Sequence, residues 1–460
     1  MIWILKGDFK MFLNLSDFKE KMKGKKVNVI GLGISNIPLV KLLISCGAYV
    51  TGCDKNENFK TDIENIELKL GKDYLKDLTG DYIFKSPGIR PDLPEFIEFV
   101  NNGGILTSEM EVFFDVCPAK IIGITGSDGK TTTTTLISEI LKKEGYNVYT
   151  GGNIGKPLLP ETENMTKDDI CVVELSSFQL MTMKKSPDIS VITNITPNHL
   201  DIHKDYEEYI EAKENITKYQ QKDNILVTNF SNEVTRKIGA NSKNDVRFFS
   251  SKEDAKLSLD DGYICYDGKK VLNTADIKIP GMHNVENYMA AIGCVYDMVS
   301  EESINYVAKN FGGVAHRIEF VREIDGVKFY NSSIDSSPNR TINTMRVFDK
   351  KLILIAGGKD KGIPYDELGE HIADHVKTLI LIGATSDKIL KSLNDEIKKT
   401  GNGKDIKVIK AKTYNEAVLT AKENAVSGDV VLLSPASTSF DMFKNFEERG
   451  NLFKEEVWKI

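Results

Sequence analysis

The chain reads as α/β, and three stretches predict it. Val27-Asn28-Val29-Ile30 is a strand, and a glycine turn and an apolar helix through Cys46 follow it. Lys120-Ile121-Ile122 leads into a second glycine turn. There Leu136, Ile137, Ile140 and Leu141 recur at helical spacing and Gly145 stands where a helix would stop. Strand-like runs at 352–356, 379–382, 408–409 and 430–433 are separated by helical stretches, which predicts a mainly parallel sheet with right-handed crossovers. At 460 residues the chain is too long for one core, so about two to four domains are expected.

Hydrophobic content of 41% and charged content of 28% are those of an ordinary soluble globular protein. A net charge of -7 argues against nucleic-acid binding and against an anionic membrane surface. No apolar run is long enough for a membrane span, and Met1 to Leu5 is too short for a signal peptide. Met11 is an alternative start, which makes the first ten residues an extension. The six cysteines are scattered without a CxxC pair. That suits reduced thiols in a cytoplasm better than a disulfide frame or a zinc site. No internal repeat or low-complexity segment interrupts the chain.

In the N-terminal part, Gly31-Leu32-Gly33-Ile34-Ser35-Asn36 follows the first strand, and a second strand from Tyr49 ends at Asp54. This is a Rossmann-like βαβ with an acid at the expected distance. Asn36 replaces the third glycine, which weakens a nicotinamide reading. A nucleotide diphosphate over the helix N-terminus is expected instead, at Gly33, Ile34, Ser35 and Asn36, with Asp54 and Lys55 near a ribose or base. Ser86-Pro87-Gly88 forms another turn at the same sheet edge. The segment 109–116 is expected to bridge to the next domain.

GITGSDGKTTTTTL, Gly123 to Leu136, matches GxxxxGK[ST] between a strand and a helix. In that context the motif is a phosphate cradle, so ATP or GTP binding is expected. Backbone N–H groups of Gly126, Ser127, Asp128 and Gly129 would point inward, with Thr132 in the first helical turn. Lys130 would reach the β- and γ-phosphates and the Thr131 hydroxyl would bind Mg²⁺. Further on, the buried run 170–173 ends at Glu174, where a Mg²⁺ ligand belongs beside a P-loop. Pro197-Asn198-His199-Leu200-Asp201-Ile202-His203 holds two histidines four apart, but Leu200 stands where a zinc protease needs its glutamate. His199 is instead a candidate for a Mg²⁺-proximal or substrate-contacting group, or for a helix cap. Lys213, in Glu211-Ala212-Lys213-Glu214, reads from its neighbours as a surface lysine.

Taken together, GITGSDGKTTTTTL, GGNIGKPL, VVELSSFQL, NITPNHLDIH, YIEAKENI, GMHNVENYMAA and AHRIEF resemble the Mur ligase family, in the family's order and over essentially the whole chain after Met11. SPGIRPDLPEF and LSPASTSFDMFKNFEERGNLF narrow the resemblance to members that take UDP-N-acetylmuramoyl-L-alanine and D-glutamate. The resemblance implies three α/β domains: a Rossmann-like UDP-sugar domain over 1–112, an ATP-binding P-loop domain over 113–314 and a Rossmann-like glutamate domain over 315–460. It gives Asn153 to the UDP sugar, Glu174 and His199 to magnesium, and makes Lys213 a carbamylated lysine. An unmodified ammonium would repel the cation, whereas a carbamate is an oxygen ligand suited to it. Asn284 and Asn287 would contact adenine, and Arg317 would touch phosphate. Lys130, His199, Lys213 and Arg317 form the expected catalytic set.

For the last domain the resemblance places Ser336, Lys361, Ser439, Phe440 and Phe446 around D-glutamate, where lysine and hydroxyls suit a dicarboxylate. Two departures stand out. Ser437-Thr438 replaces the family's frequent Cys-Ala, and Asn331-Ser332-Ser333 lacks the aspartate that the family places near the nucleotide. Asp335 is expected to swing into that vacated role and join the ATP contacts. The implied activity is ATP-dependent amide-bond formation by a cytoplasmic monomer, with no nucleic-acid partner and no membrane insertion. Its rivals are a folate polyglutamate ligase or another amino-acid-adding ligase, a P-loop switch, and a NAD-linked dehydrogenase.

Overall fold

The computed structural model describes residues 11–460 except Ile34, Leu200, Asp201 and Lys361. Two expected substrate contacts, Ile34 and Lys361, therefore lie outside the described residues. The described residues form an α/β fold on three sheets. The first has five parallel strands in the order Ile66–Leu70, Tyr49–Asp54, Lys26–Ile30, Tyr82–Lys85, Ile105–Thr107. The second has nine, in the order Lys269–Asn273, Tyr263–Tyr266, Leu257–Asp260, Asp245–Ser250, Ile225–Asn229, Ile189–Ile192, Lys120–Thr125, Ile170–Glu174, Val148–Gly152. The third has six: Glu319–Ile324, Val327–Asn331, Val430–Leu433, Leu352–Ala356, Val376–Leu381, Lys407–Lys410.

Apolar runs form the middle strands, because helices cover both faces of a parallel sheet. Ile170–Glu174, Leu352–Ala356 and Val430–Leu433 are buried at every position. Among the described strands, antiparallel pairing joins three hairpins, between the strands of 257–273 and between Glu319–Ile324 and Val327–Asn331. Each turns on Asp-Gly: Asp261-Gly262, Asp267-Gly268 and Asp325-Gly326, all with positive φ. Two successive positive φ values make the turn whose twist matches paired strands.

Two compact units hold these sheets. One runs to Thr274 and takes in Val285–Val307, with the first two sheets; the other comprises Ala275–Asn284 and Ala308–Ile460, with the third. In every sheet one strand is flanked by neighbours reached in opposite directions: Lys26–Ile30, Lys120–Thr125 and Leu352–Ala356. Ligands of open α/β sheets bind outside the carboxyl ends of strands at such points. The expected phosphate, sugar and amino-acid loops all start there. At the rim of the third sheet, Lys407–Lys410 (sequence KVIK) is an outer strand with both lysines exposed.

Among the described residues no helix is long and apolar enough to cross a membrane. None of the six cysteines, all among the described residues, forms a disulfide.

Candidate active site

The strand Lys120–Thr125 delivers the P-loop to the N-terminus of the helix Lys130–Glu144. Gly126 and Gly129 have φ of 150° and 79°, and a Cβ on either would overlap a neighbour, Thr193 Oγ1 or Asn287 Oδ1. Only glycine suits both conformation and space. The loop is braced from outside: Ser127 N–H donates to Asn194 O (2.8 Å), Asp128 N–H to Asn194 Oδ1 (3.0 Å), and Ser127 Oγ lies 2.9 Å from the Tyr209 hydroxyl. Lys130 Nζ donates to Gly126 O and Ser127 O at 2.9 and 2.8 Å. Thr131 and Thr132 open the helix half-buried. Asn287 accepts from Thr133 Oγ1 at 3.3 Å, which sets it against the same turn.

Glu174 ends the neighbouring strand, 1% exposed. Its Oε1 accepts from Asn153 Nδ2 at 2.8 Å, while Oε2 is buried with no hydrogen-bond partner among the described residues. A buried lone carboxylate oxygen is costly unless something meets it. Lys213 is 2% exposed, which corrects the surface reading. On the helix Tyr206–Lys218 the buried positions are Tyr209, Ala212, Lys213 and Ile216, an i, i+3, i+4, i+7 stripe. That spacing was the missed signal. Lys213 Nζ donates to Gly126 O at 2.8 Å and stands 4.7 Å from the Tyr209 ring centre. Burial first, then the Lys130 charge, hold its amine well below the usual lysine range.

The two histidines lie on either side of Phe178. His199 is exposed, with its ring 5.2 Å from Phe178 and a φ of 54°. His203 is buried, stacked on Phe178 at 5.3 Å, with Nε2 3.0 Å from Ser177 Oγ. Burial lowers its pKa. Among the described residues no three His, Cys, Asp or Glu side chains cluster as a metal site.

At the first sheet, Gly31 packs against Ser86, where a Cβ would come within 2.8 Å of the Ser86 Cβ, and Ser86 N–H donates to Ile30 O. Gly31 and the Ser86–Gly88 turn therefore lie side by side. Gly33 and Gly88 are exposed, with open space at their Cα hydrogens. Asn36 is buried and donates to Ile30 O and Gly31 O, closing the turn from below. Asp54 accepts from Leu32 N–H and Asn56 N–H at 2.7 and 2.8 Å, and Lys55 is exposed.

In the second unit, Gly357-Gly358-Lys359 and Ser434–Ser439 meet: Lys359 N–H donates to Thr438 O at 2.8 Å and Thr438 Oγ1 to Lys359 O at 3.0 Å. Ser439 is buried and Phe440 is 59% exposed. Phe446 lies 5.9 Å, edge to face, from the His316 ring. Ser336 is half-buried, with Oγ on Ile334 O. Arg317 is exposed, between His316 and Ile318, both at positive φ. Such strain clusters at functional sites. Asn284 donates to Pro280 O at 2.6 Å. Asp335 is not a solvated acid. It is buried and accepts from Ser434 Oγ at 2.7 Å, with Ser332 and Thr344 as further donors. Sequence reasoning also missed Arg449, fully buried and bonded to Ser333 Oγ, Ser333 O and Ser437 O, and the Arg90–Glu208 pair of the first unit.

Fold and site together define an α/β protein whose second sheet carries a P-loop. The Mur ligase middle domain matches residues 124–295, and the Mur ligase glutamate ligase domain matches 316–437. The chain belongs to the Mur ligase family. It is 52% identical to the UDP-N-acetylmuramoylalanine–D-glutamate ligase of Acetivibrio thermocellus, over 98% of this chain and 100% of that one. To the enzyme of that name from Ruminiclostridium cellulolyticum it is 50% identical, over 96% and 98%. Among solved structures it is similar to the UDP-N-acetylmuramate–alanine ligase of Thermotoga maritima, with a TM-score of 0.58 at 18% identity, covering 95% of this chain and 99% of that one. The MurF ligase of the same organism, solved with ADP, aligns with a TM-score of 0.54 at 18% identity, covering 99% and 100%.

Proposed function

We propose that this chain is the ATP-dependent ligase that joins D-glutamate to UDP-N-acetylmuramoyl-L-alanine, acting as a monomer in the cytoplasm. One observation supports it above the others. A P-loop backed by the unsatisfied Glu174 oxygen and the buried Lys213 amine occurs in a chain about half identical, over nearly its full length, to enzymes named for that reaction.

A carboxylate is a poor electrophile and hydroxide a poor leaving group. Transfer of the ATP γ-phosphoryl group to the L-alanyl carboxylate gives an acyl phosphate and ADP. The amine of D-glutamate attacks the acyl carbon, and the tetrahedral intermediate expels phosphate and leaves the amide. Both reactants of the first step are anionic. Lys130 and the N–H groups of Gly126, Ser127, Asp128 and Gly129 offset that charge, with Arg317 as a further cation on phosphate. Asn284 and Asn287 hold adenine.

Oxygen donors suit a hard cation, and the partnerless Glu174 oxygen fits one. Thr131, Glu174, His199 and a carbamylated Lys213 would hold Mg²⁺, which when bound supplies charge neutralisation on phosphate oxygens. The Lys213 environment supports the modification: a neutral amine attacks CO₂, a C–N bond forms as one C=O π bond opens to a carboxylate, a proton leaves to solvent, and an anion faces Lys130 in place of a second cation. Gly33, Ser35, Asn36, Asp54, Lys55, Ser86, Pro87, Gly88 and Asn153 line the UDP-sugar side. Ser336, Lys361, Ser439, Phe440 and Phe446 serve D-glutamate. His199 orients or deprotonates the incoming ammonium.

An amino-acid panel with UDP-N-acetylmuramoyl-L-alanine and ATP, read as ADP release, tests the reading. D-Glutamate alone should support turnover. Release with another amino acid would reassign the substrate, and release with no acceptor would overturn the ligase.

A further inference from the structure

Arg90 follows the Ser86–Gly88 turn, and its side chain leaves the first sheet for the second. Its guanidinium makes five hydrogen bonds. Nε and Nη2 donate to Asp92 at 2.8 Å each, Nη1 and Nη2 to the two oxygens of Glu208 at 2.9 Å each, and Nη1 also to Ile202 O at 2.7 Å. Every N–H of the fork is used, in a geometry that lysine cannot reproduce. Glu208 lies in the first turn of the helix Tyr206–Lys218 and also accepts from Lys204 N–H at 2.8 Å. The next residue, Tyr209, meets Ser127 Oγ, and one turn on Lys213 meets Gly126 O, so this helix touches the P-loop twice. Ile202 closes the turn that begins at His199.

We propose that Arg90 is a positioning residue that couples the Ser86–Gly88 turn to the P-loop through this helix, so that UDP-sugar binding raises the affinity for ATP. The proposal rests on the ligase reading for the two ligands. Its physical content is a continuous chain of charge-assisted and buried contacts, each short, between two ligand edges of one compact unit. Another bridge between the same sheets, Lys19 to Glu163 at 2.8 Å, touches neither the helix nor the P-loop.

The test is calorimetric: the Kd of a non-hydrolysable ATP analogue with Mg²⁺, measured with and without saturating UDP-N-acetylmuramoyl-L-alanine. Coupling between sites is typically about 5–150-fold. The parent should show a ratio in that range, as should Lys19→Ala. Arg90→Ala should bring the ratio to within about twofold of one, and Arg90→Lys should lower it because the fork is lost. A parent ratio of one overturns the proposal. So does an Arg90→Ala variant that weakens both ligands but keeps the parent's ratio, since that is a merely structural role. ADP release by the parent is read separately. Its absence counts against the ligase, whereas an active parent with an unaltered Arg90→Ala ratio counts against the coupling alone.

Discussion

Lys213, as an ammonium, is unfavourable to the fold, and the proposed mechanism requires it as a carbamate. Its amine is closed into the interior with Lys130 as a neighbour, and its pKa falls well below 10.5. In CO₂-free buffer, where the amine is unmodified, the unfolded chain binds more protons between the folded and unfolded pKa values, so stability rises with pH across that window, up to about 10.5. Lys213→Met should flatten this slope in denaturant titrations and abolish turnover. Labelled bicarbonate should give an acid-labile signal on the parent that is missing from the variant; full activity of Lys213→Met would end the carbamate idea. Lys130→Ala should lower ADP release at least about 10²–10³-fold, the size of a lost oxyanion contact. Activity within about threefold of the parent would sink the P-loop assignment. At this scale the sequence was legible for position: Gly126 has the positive φ of a glycine turn and Glu174 ends a buried strand. It was opaque for Lys213 and Asp335, whose meaning is set by what buries them.

The helix Glu109–Val116 was expected as a bridge between domains, and its environment decides its titration. Seven of its positions are buried, Glu109 among them. Glu109 accepts from Leu159 N–H at 2.8 Å, yet burial pushes its carboxyl up to about 7. The folded state holds the proton longer than the unfolded one, so this group's stabilisation is full below about pH 4.5 and is lost as pH rises through about 7. At about 1.36 kcal/mol per pKa unit, the loss is on the order of 3 kcal/mol. Glu109→Gln should remove most of that decline in thermal scans between pH 5 and 8; an unchanged profile would mean that the carboxylate stays ionised. The Asp-Gly hairpins were legible signals that the parallel-sheet reading passed over. Strands of the parallel sheets were found because continuous apolar runs need no partner to be recognised.

At the scale of the molecule, the P-loop and the glycine loops after Ile30 and Ala356 each leave a strand where its sheet switches direction, since glycine punctuation and topology point to the same edges. Contacts between distant segments were beyond the sequence. Arg90 and Glu208 stand 118 residues apart, and nothing in SPGIRPD names its partner. The outer strand Lys407–Lys410 carries a different kind of information. An open strand edge is a template for a second chain, and lysines there discourage pairing. Val408 is already 37% exposed between them. Replacing both Lys407 and Lys410 with threonine leaves the four residues rich in β-formers and uncharged. Light scattering at high concentration should then show that variant clumping while its ligase rate per folded molecule is unchanged. Those two charges would thus act as the chain's colloidal safeguard, deciding how crowded a solution it tolerates.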